Sequence, residues 1–102
     1  MNAGEYGIAF ALNASYDMSA NTNLILIFTR PDKSVLTVTK PQVVLGTTPL
    51  TTNDGTFLAN QYVTYVTAPG DFDLEGKYMV RLDYFTPGVK LITDPYTFTV
   101  NP

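Results

Sequence analysis

The acidic run Asp71-Phe72-Asp73-Leu74-Glu75-Gly76 is where side chains of one reactive type crowd together in this chain. Alternating carboxylates followed by glycine mimic the first half of a calcium-binding loop. An EF-hand loop opening at Asp71 needs its closing bidentate Glu at position 82, where Leu82 stands inside an apolar alternation. The residue types favour a solvated turn whose carboxylates accept backbone N–H bonds. Two close carboxylates can also share acid–base work, but nothing in the pattern around Asp71 and Asp73 suggests a cleft or burial that would shift a pKa. Ser15, Ser19 and Ser34 are the only serines, and the chain has no His and no Cys. A Ser–His nucleophile, thiolate chemistry and the commonest zinc ligands are therefore excluded. No catalytic residue, metal site or cofactor is expected.

Aromatic residues offer a different chemistry. There are seven Tyr and no Trp. Tyr16, Phe57 and Phe85 are the aromatics least explained by strand alternation. They could form a platform for glycans, or pack beneath a loop. Six basic residues are scattered along the chain (Arg30, Lys33, Lys40, Lys77, Arg81, Lys90), and the net charge is −3. Nucleic-acid binding needs a clustered basic face, so no nucleic-acid partner is expected.

These side chains need a scaffold, and the composition supplies one. Apolar residues make up 45% of the 102 residues and charged residues 15%, enough for one packed domain over residues 1–102 and too few charges for disorder. The longest apolar run, Leu24–Phe28, is too short to span a bilayer, and no basic leader precedes an apolar stretch at Met1. The chain reads as a complete small product of the cytoplasm, with no membrane partner.

Helical periodicity is missing, while β-branched and aromatic residues recur between Pro, Gly, Asn and Asp. Strands are expected at 6–12, 24–29, 35–39, 43–45, 62–67, 77–85, 89–92 and 96–100. Pro31-Asp32-Lys33-Ser34 reads as a hairpin turn, and 47–60 as a long connection containing an Asn53-Asp54-Gly55 turn. About seven or eight short strands with regular turn signals predict an antiparallel two-sheet β-sandwich. Its expected core is Ile8, Phe10, Leu26, Phe28, Val38, Val66, Tyr78, Val80, Leu82, Phe98 and Val100.

Two segments break the rule that a sheet with one wet face alternates apolar and polar residues. Leu24, Leu26 and Phe28 point one way, yet Ile25 and Ile27 point the other. Gly7, Ala9 and Ala11 offer a flat face of small residues. Either a neighbouring subunit covers these positions, or the 47–60 connection folds over them within the chain. On the first reading the contact residues are Ala9, Ala11, Ile25 and Ile27, with Thr52, Asn53, Thr56, Phe57 and Leu58 from the connection. The strand around Tyr78–Tyr84 reads as ordinary by contrast, with Arg81 and Asp83 outward and wet.

Leu74-x-Gly76-x-Tyr78-x-Val80 resembles the tyrosine corner that opens strand F of immunoglobulin-like sandwiches. Asp17-Met18-Ser19, Leu24–Phe28, Thr29-Arg30-Pro31-Asp32 and Ala68-Pro69-Gly70-Asp71 precede it in order. The series, over roughly residues 15–100, resembles small immunoglobulin-like domains of tailed bacteriophages, including the N-terminal domains of baseplate upper proteins. Lys33 departs from the pattern, since glycine is usual there. The resemblance implies an immunoglobulin-like fold and a non-enzymatic role in the virion, as a head-decoration, neck, tail or baseplate component. It implies other virion proteins as partners and several copies on a symmetric scaffold. A carbohydrate-binding or host-adhesion module is the alternative.

Overall fold

The structure is a computed structural model describing residues 1–53 and 55–102, so Asp54, at the centre of the expected 53–55 turn, lies outside the described residues. The described residues form strands throughout: β1 (Ala9–Asn13), β2 (Asn23–Thr29), β3 (Val35–Val38), β4 (Val44–Leu45), β5 (Leu50–Thr52), β6 (Gly55–Phe57), β7 (Tyr62–Val66), β8 (Gly76–Thr86), β9 (Val89–Ile92) and β10 (Tyr96–Val100). A five-stranded sheet has the order β10-β8-β2-β3, with β9 pairing further along β8. A three-stranded sheet has the order β1-β7-β4. β5 and β6 pair only with each other, forming a hairpin inside the expected 47–60 connection. Every strand pairing is antiparallel.

The two larger sheets pack face to face as a sandwich. β2 alternates as its sequence demands: Leu24, Leu26 and Phe28 are fully buried, opposite Tyr84, Leu82 and Val80 of β8. From the other sheet come Leu12, Val63 and Tyr65. Phe28 is the hub, with its ring 5.3 Å from Phe10, 5.2 Å from Phe72 and 6.2 Å from Tyr65. Burying each such side chain stabilises the fold by about 1.5–3 kcal/mol before entropy is charged against it.

Most of the expected core is inside, with Ile8, Phe10 and Phe98 half-buried. Val66 is a correction, being 62% exposed. The segment Tyr62-Val63-Thr64-Tyr65-Val66 is apolar in both phases, and pairing with β1 selects Val63, Tyr65 and Thr67 as the inward set. Val66 then lies opposite Ala9 on the outward face. β1 also begins later than expected. Gly7 sits at φ 76, outside extended geometry, and Tyr6 is left exposed.

The corner before β8 explains its own sequence. The Tyr78 hydroxyl donates to the Leu74 carbonyl at 2.7 Å. Gly76 sits at φ 129, and a Cβ there would stand 2.9 Å from Pro31 Cγ, so only glycine fits. The hairpin between β2 and β3 resolves the Lys33 departure: Lys33 adopts φ 72. Asp32 steadies this turn by accepting from the Ser34 hydroxyl and N–H, which holds its carboxyl below the usual carboxylate range. That left-handed residue costs about 1 kcal/mol where glycine would cost little.

Candidate contact surfaces

The outward face of the five-stranded sheet is fixed by register. Ile25 lies opposite Asp83, Ile27 opposite Arg81 and Thr29 opposite Met79. On the flanks, Thr37 faces Ile27 and Val35 faces Thr29, while Ile92 of β9 faces Asp83. Ile25 and Ile27 are half-buried, whereas Met79, Ile92 and Val35 are 44%, 53% and 56% exposed. The result is an apolar patch crossing four strands. It contains a shallow hollow of about 110 Å³ bordered by Ile27, Thr29, Met79 and Arg81.

The strand expected to be ordinary and wet therefore shares this patch. Arg81 is outward and exposed, but Asp83 is only 3% exposed, flanked by Arg81 Nε at 3.2 Å and Lys90 Nζ at 3.7 Å. The Arg81 nitrogen lies off the hydrogen-bonding line, so Asp83 Oδ1 is buried without a hydrogen bond among the described residues. Alternation put Asp83 on the outward face correctly. It could not show that Ile25 and Ile92 would wall the carboxylate off from water, because that depends on cross-strand register.

The outward face of the small sheet is different. Tyr62 points outward from β7 and is nevertheless buried, because the β5–β6 hairpin lies over it. The Phe57 ring stands 5.9 Å from the Tyr62 ring, and the Tyr62 hydroxyl donates to the Thr48 carbonyl at 2.7 Å. Gly46 permits this, since a Cβ there would lie 2.0 Å from the ring. The 47–60 connection thus covers Tyr62, and not the Ile25 and Ile27 face, for which it was one of the two expected covers. It falls on the opposite side of the sandwich from Ile25 and Ile27.

The remaining sequence-derived contact residues disperse. Ala9 is exposed beside Val66 on the small sheet, and Ala11 is half-buried further along β1. In the hairpin Thr56 and Asn53 are exposed, Thr52 is half-buried with its hydroxyl donating to the Gly55 carbonyl, and Leu58 is 55% exposed. They do not join Ile25 and Ile27 in one surface.

Ala11 and Phe57 instead border a cleft of about 690 Å³, together with Tyr16, Ile92, Asp94 and Tyr96. It runs along the free edge of β1 towards the break between β9 and β10. Tyr16 also packs on Tyr84 at 5.7 Å, and its buried hydroxyl has no hydrogen-bond partner among the described residues. Burial, with a smaller contribution from Tyr84, raises its pKa above the ordinary tyrosine value. Tyr16 and Phe57 thus share one cleft, while Phe85 lies elsewhere, on the large-sheet face under Lys90 Nζ at 5.4 Å.

The acidic corner is structural. Asp71 is buried, which corrects the expectation of a solvated turn, and it accepts bonds from the Tyr65 hydroxyl and from the Ala68 N–H at 2.8 Å. Its carbonyl accepts from Arg30 Nε at 3.0 Å. Burial, the Asp71 hydrogen bond and the Asp71 charge push the Tyr65 pKa up to about 12. No grouping of acidic side chains that could hold a metal ion occurs among the described residues. Compared with family models, curated proteins and solved structures, the chain matches none.

Proposed function

We propose that this chain is a non-enzymatic structural subunit of a tailed-bacteriophage particle, an immunoglobulin-like domain held in place by protein–protein contacts. The strand order supports the immunoglobulin-like reading. β10-β8-β2-β3 against β1-β7-β4 matches sheets G-F-C-C′ and B-E-D of that fold, and the Tyr78–Leu74 bond falls where its tyrosine corner belongs. The motif series that resembles phage domains maps onto the β2–β3 hairpin and this corner.

The observation that carries the functional reading is the uncovered patch around Ile25, Ile27, Met79 and Ile92, with the Arg81–Asp83–Lys90 group embedded in it. An apolar centre beside charged groups suits a partner surface of mixed character. In this reading the partners are other virion proteins, met by several copies on a symmetric scaffold, after synthesis in the host cytoplasm. The test is a particle-assembly assay with the double variant Ile25→Lys, Ile27→Lys. The variant is expected to stay folded, losing less than about 2 kcal/mol, and to be missing from purified particles. Normal incorporation overturns the proposal, and so does unfolding, which would make both residues core.

Glycan binding is a second reading, favoured by the meeting of Tyr16 and Phe57 in one cleft. The same cleft borders an unpaired strand edge, which points to a different occupant.

A further inference from the structure

We propose that the outer edge of β1 and the adjoining cleft form a strand-addition site for an extended, basic segment of a partner protein. This goes beyond the role assigned to the five-stranded sheet and uses an adjoining surface that meets that patch at Ile92.

Hydrogen bonding shows which way the β1 backbone faces. The Thr67 N–H donates to the Ile8 carbonyl at 3.0 Å, and the Ala14 N–H donates to the Gln61 carbonyl at 2.8 Å. Even-numbered residues of this stretch therefore exchange bonds with β7. In an antiparallel ladder the intervening residues, Ala9, Ala11 and Asn13, turn their N–H and C=O groups the other way. β1 is the terminal strand of its sheet, and among the described residues no strand lies on that side.

Exposed edges are ordinarily protected by proline, lysine, inward charges or bulges. Ala9-Phe10-Ala11-Leu12-Asn13 carries none of these residue types. The edge facing it across the sandwich, that of β10, is partly occupied. Asn2 bridges Asn101 in parallel, with the Ala3 N–H donating to the Asn101 carbonyl at 2.7 Å. Met1 and Ala3 pack against the core there. One end of this open side is thus closed by the chain itself. The other end, between Asn13–Tyr16 and Ile92–Tyr96, is the cleft.

The cleft describes its occupant. A strand laid along β1 would aim alternate side chains into it, where Tyr16, Phe57, Ile92 and Tyr96 offer apolar and aromatic walls and Ala11 leaves room. Among the described residues, Asp94 is the only charged one bordering it. A Lys or Arg on the incoming strand complements that charge, and an acidic one would be repelled. Addition would supply the missing backbone partners at Ala9, Ala11 and Asn13.

The probe is a short synthetic peptide of alternating Val and Thr with one central Lys, added to the intact chain and followed by amide hydrogen exchange and NMR titration. It is expected to slow exchange at Ala9, Ala11 and Asn13. N-methylating alternate backbone nitrogens should abolish this. Asp94→Asn, or Glu in place of the peptide Lys, should weaken binding about three- to tenfold. Tyr96→Ser serves as a second cleft variant should Asp94→Asn perturb the fold. The Ile25→Lys, Ile27→Lys protein should bind the peptide unchanged, which separates this proposal from the assembly role. The proposal is overturned by an absence of protection, or by protection indifferent to the charge changes. Neutral oligosaccharides shifting the cleft resonances while the peptide does not would overturn it in favour of glycans. Protection growing with protein concentration alone would do so in favour of a second copy.

Discussion

On the small sheet the chain covers its own outward face, with Phe57 against Tyr62 and the Tyr62 hydroxyl tied to Thr48. On the five-stranded sheet, Ile25, Ile27, Met79 and Ile92 look outward with no segment of the described chain laid over them. Both faces carry apolar residues where solvent would favour polar ones. The difference lies in where the cover comes from. A sheet can be apolar on both sides because its own chain returns to it, or because another molecule does. Substitutions on the first kind of face should cost stability, and on the second kind association.

The comparison can be tested by its extremes. Tyr62→Ala should be the most damaging change, removing a buried ring and the hairpin's anchor together. A loss of about 3 kcal/mol is expected in urea unfolding, with Phe57 becoming more exposed to solvent. A similar loss from the Ile25 and Ile27 double variant would erase the distinction between the faces. High pH should act on the interior between them. Tyr65, with its pKa raised from 10 to about 12, binds its proton more tightly when folded. Its contribution is fully present below pH 10 and is lost as pH rises towards 12, by on the order of 2 kcal/mol. Tyr65→Phe should flatten that alkaline slope in unfolding measured across this range, whatever is done to either face.

A smaller effect should come from the ionic group. Arg81→Ala leaves Asp83 buried with only Lys90 near it and should cost about 1–2 kcal/mol by thermal melting. Asp83→Asn, which leaves only exposed cations behind, should cost less. If both changes are silent, the face is wetter than its register implies. The smallest effect is expected at Leu58, where Leu58→Ser should alter stability by no more than about 0.5 kcal/mol.

Much of the sandwich was legible in the sequence because its signals are local. β2 and β8 alternate cleanly on their inward sides, and the Leu74–Tyr78 pattern carries its own hydrogen bond and its own steric reason for Gly76. Ile25 and Ile27 stood out for the same reason, as apolar residues on the wrong side of a periodic strand. Long-range pairing was not legible. Val66 read as core because both phases of β7 are apolar, and only pairing with β1 decides between them. Asp83 read as wet because its neighbours Ile25 and Ile92 lie on other strands. The cleft was half legible. Tyr16 and Phe57 were conspicuous aromatics, but Tyr96 and Asp94 join them only through the break between β9 and β10.

The bridge between Asn2 and Asn101 brings the two chain ends side by side, away from the cleft. A domain whose first and last segments meet can be rewired without being reshaped. A few flexible residues could join them, and a new opening in the exposed Pro87–Gly88 turn between β8 and β9 would give a circular permutant with the same sheets. The same adjacency would let the whole sandwich be spliced into a loop of another protein as a protruding knob, with the cleft at the end away from the graft.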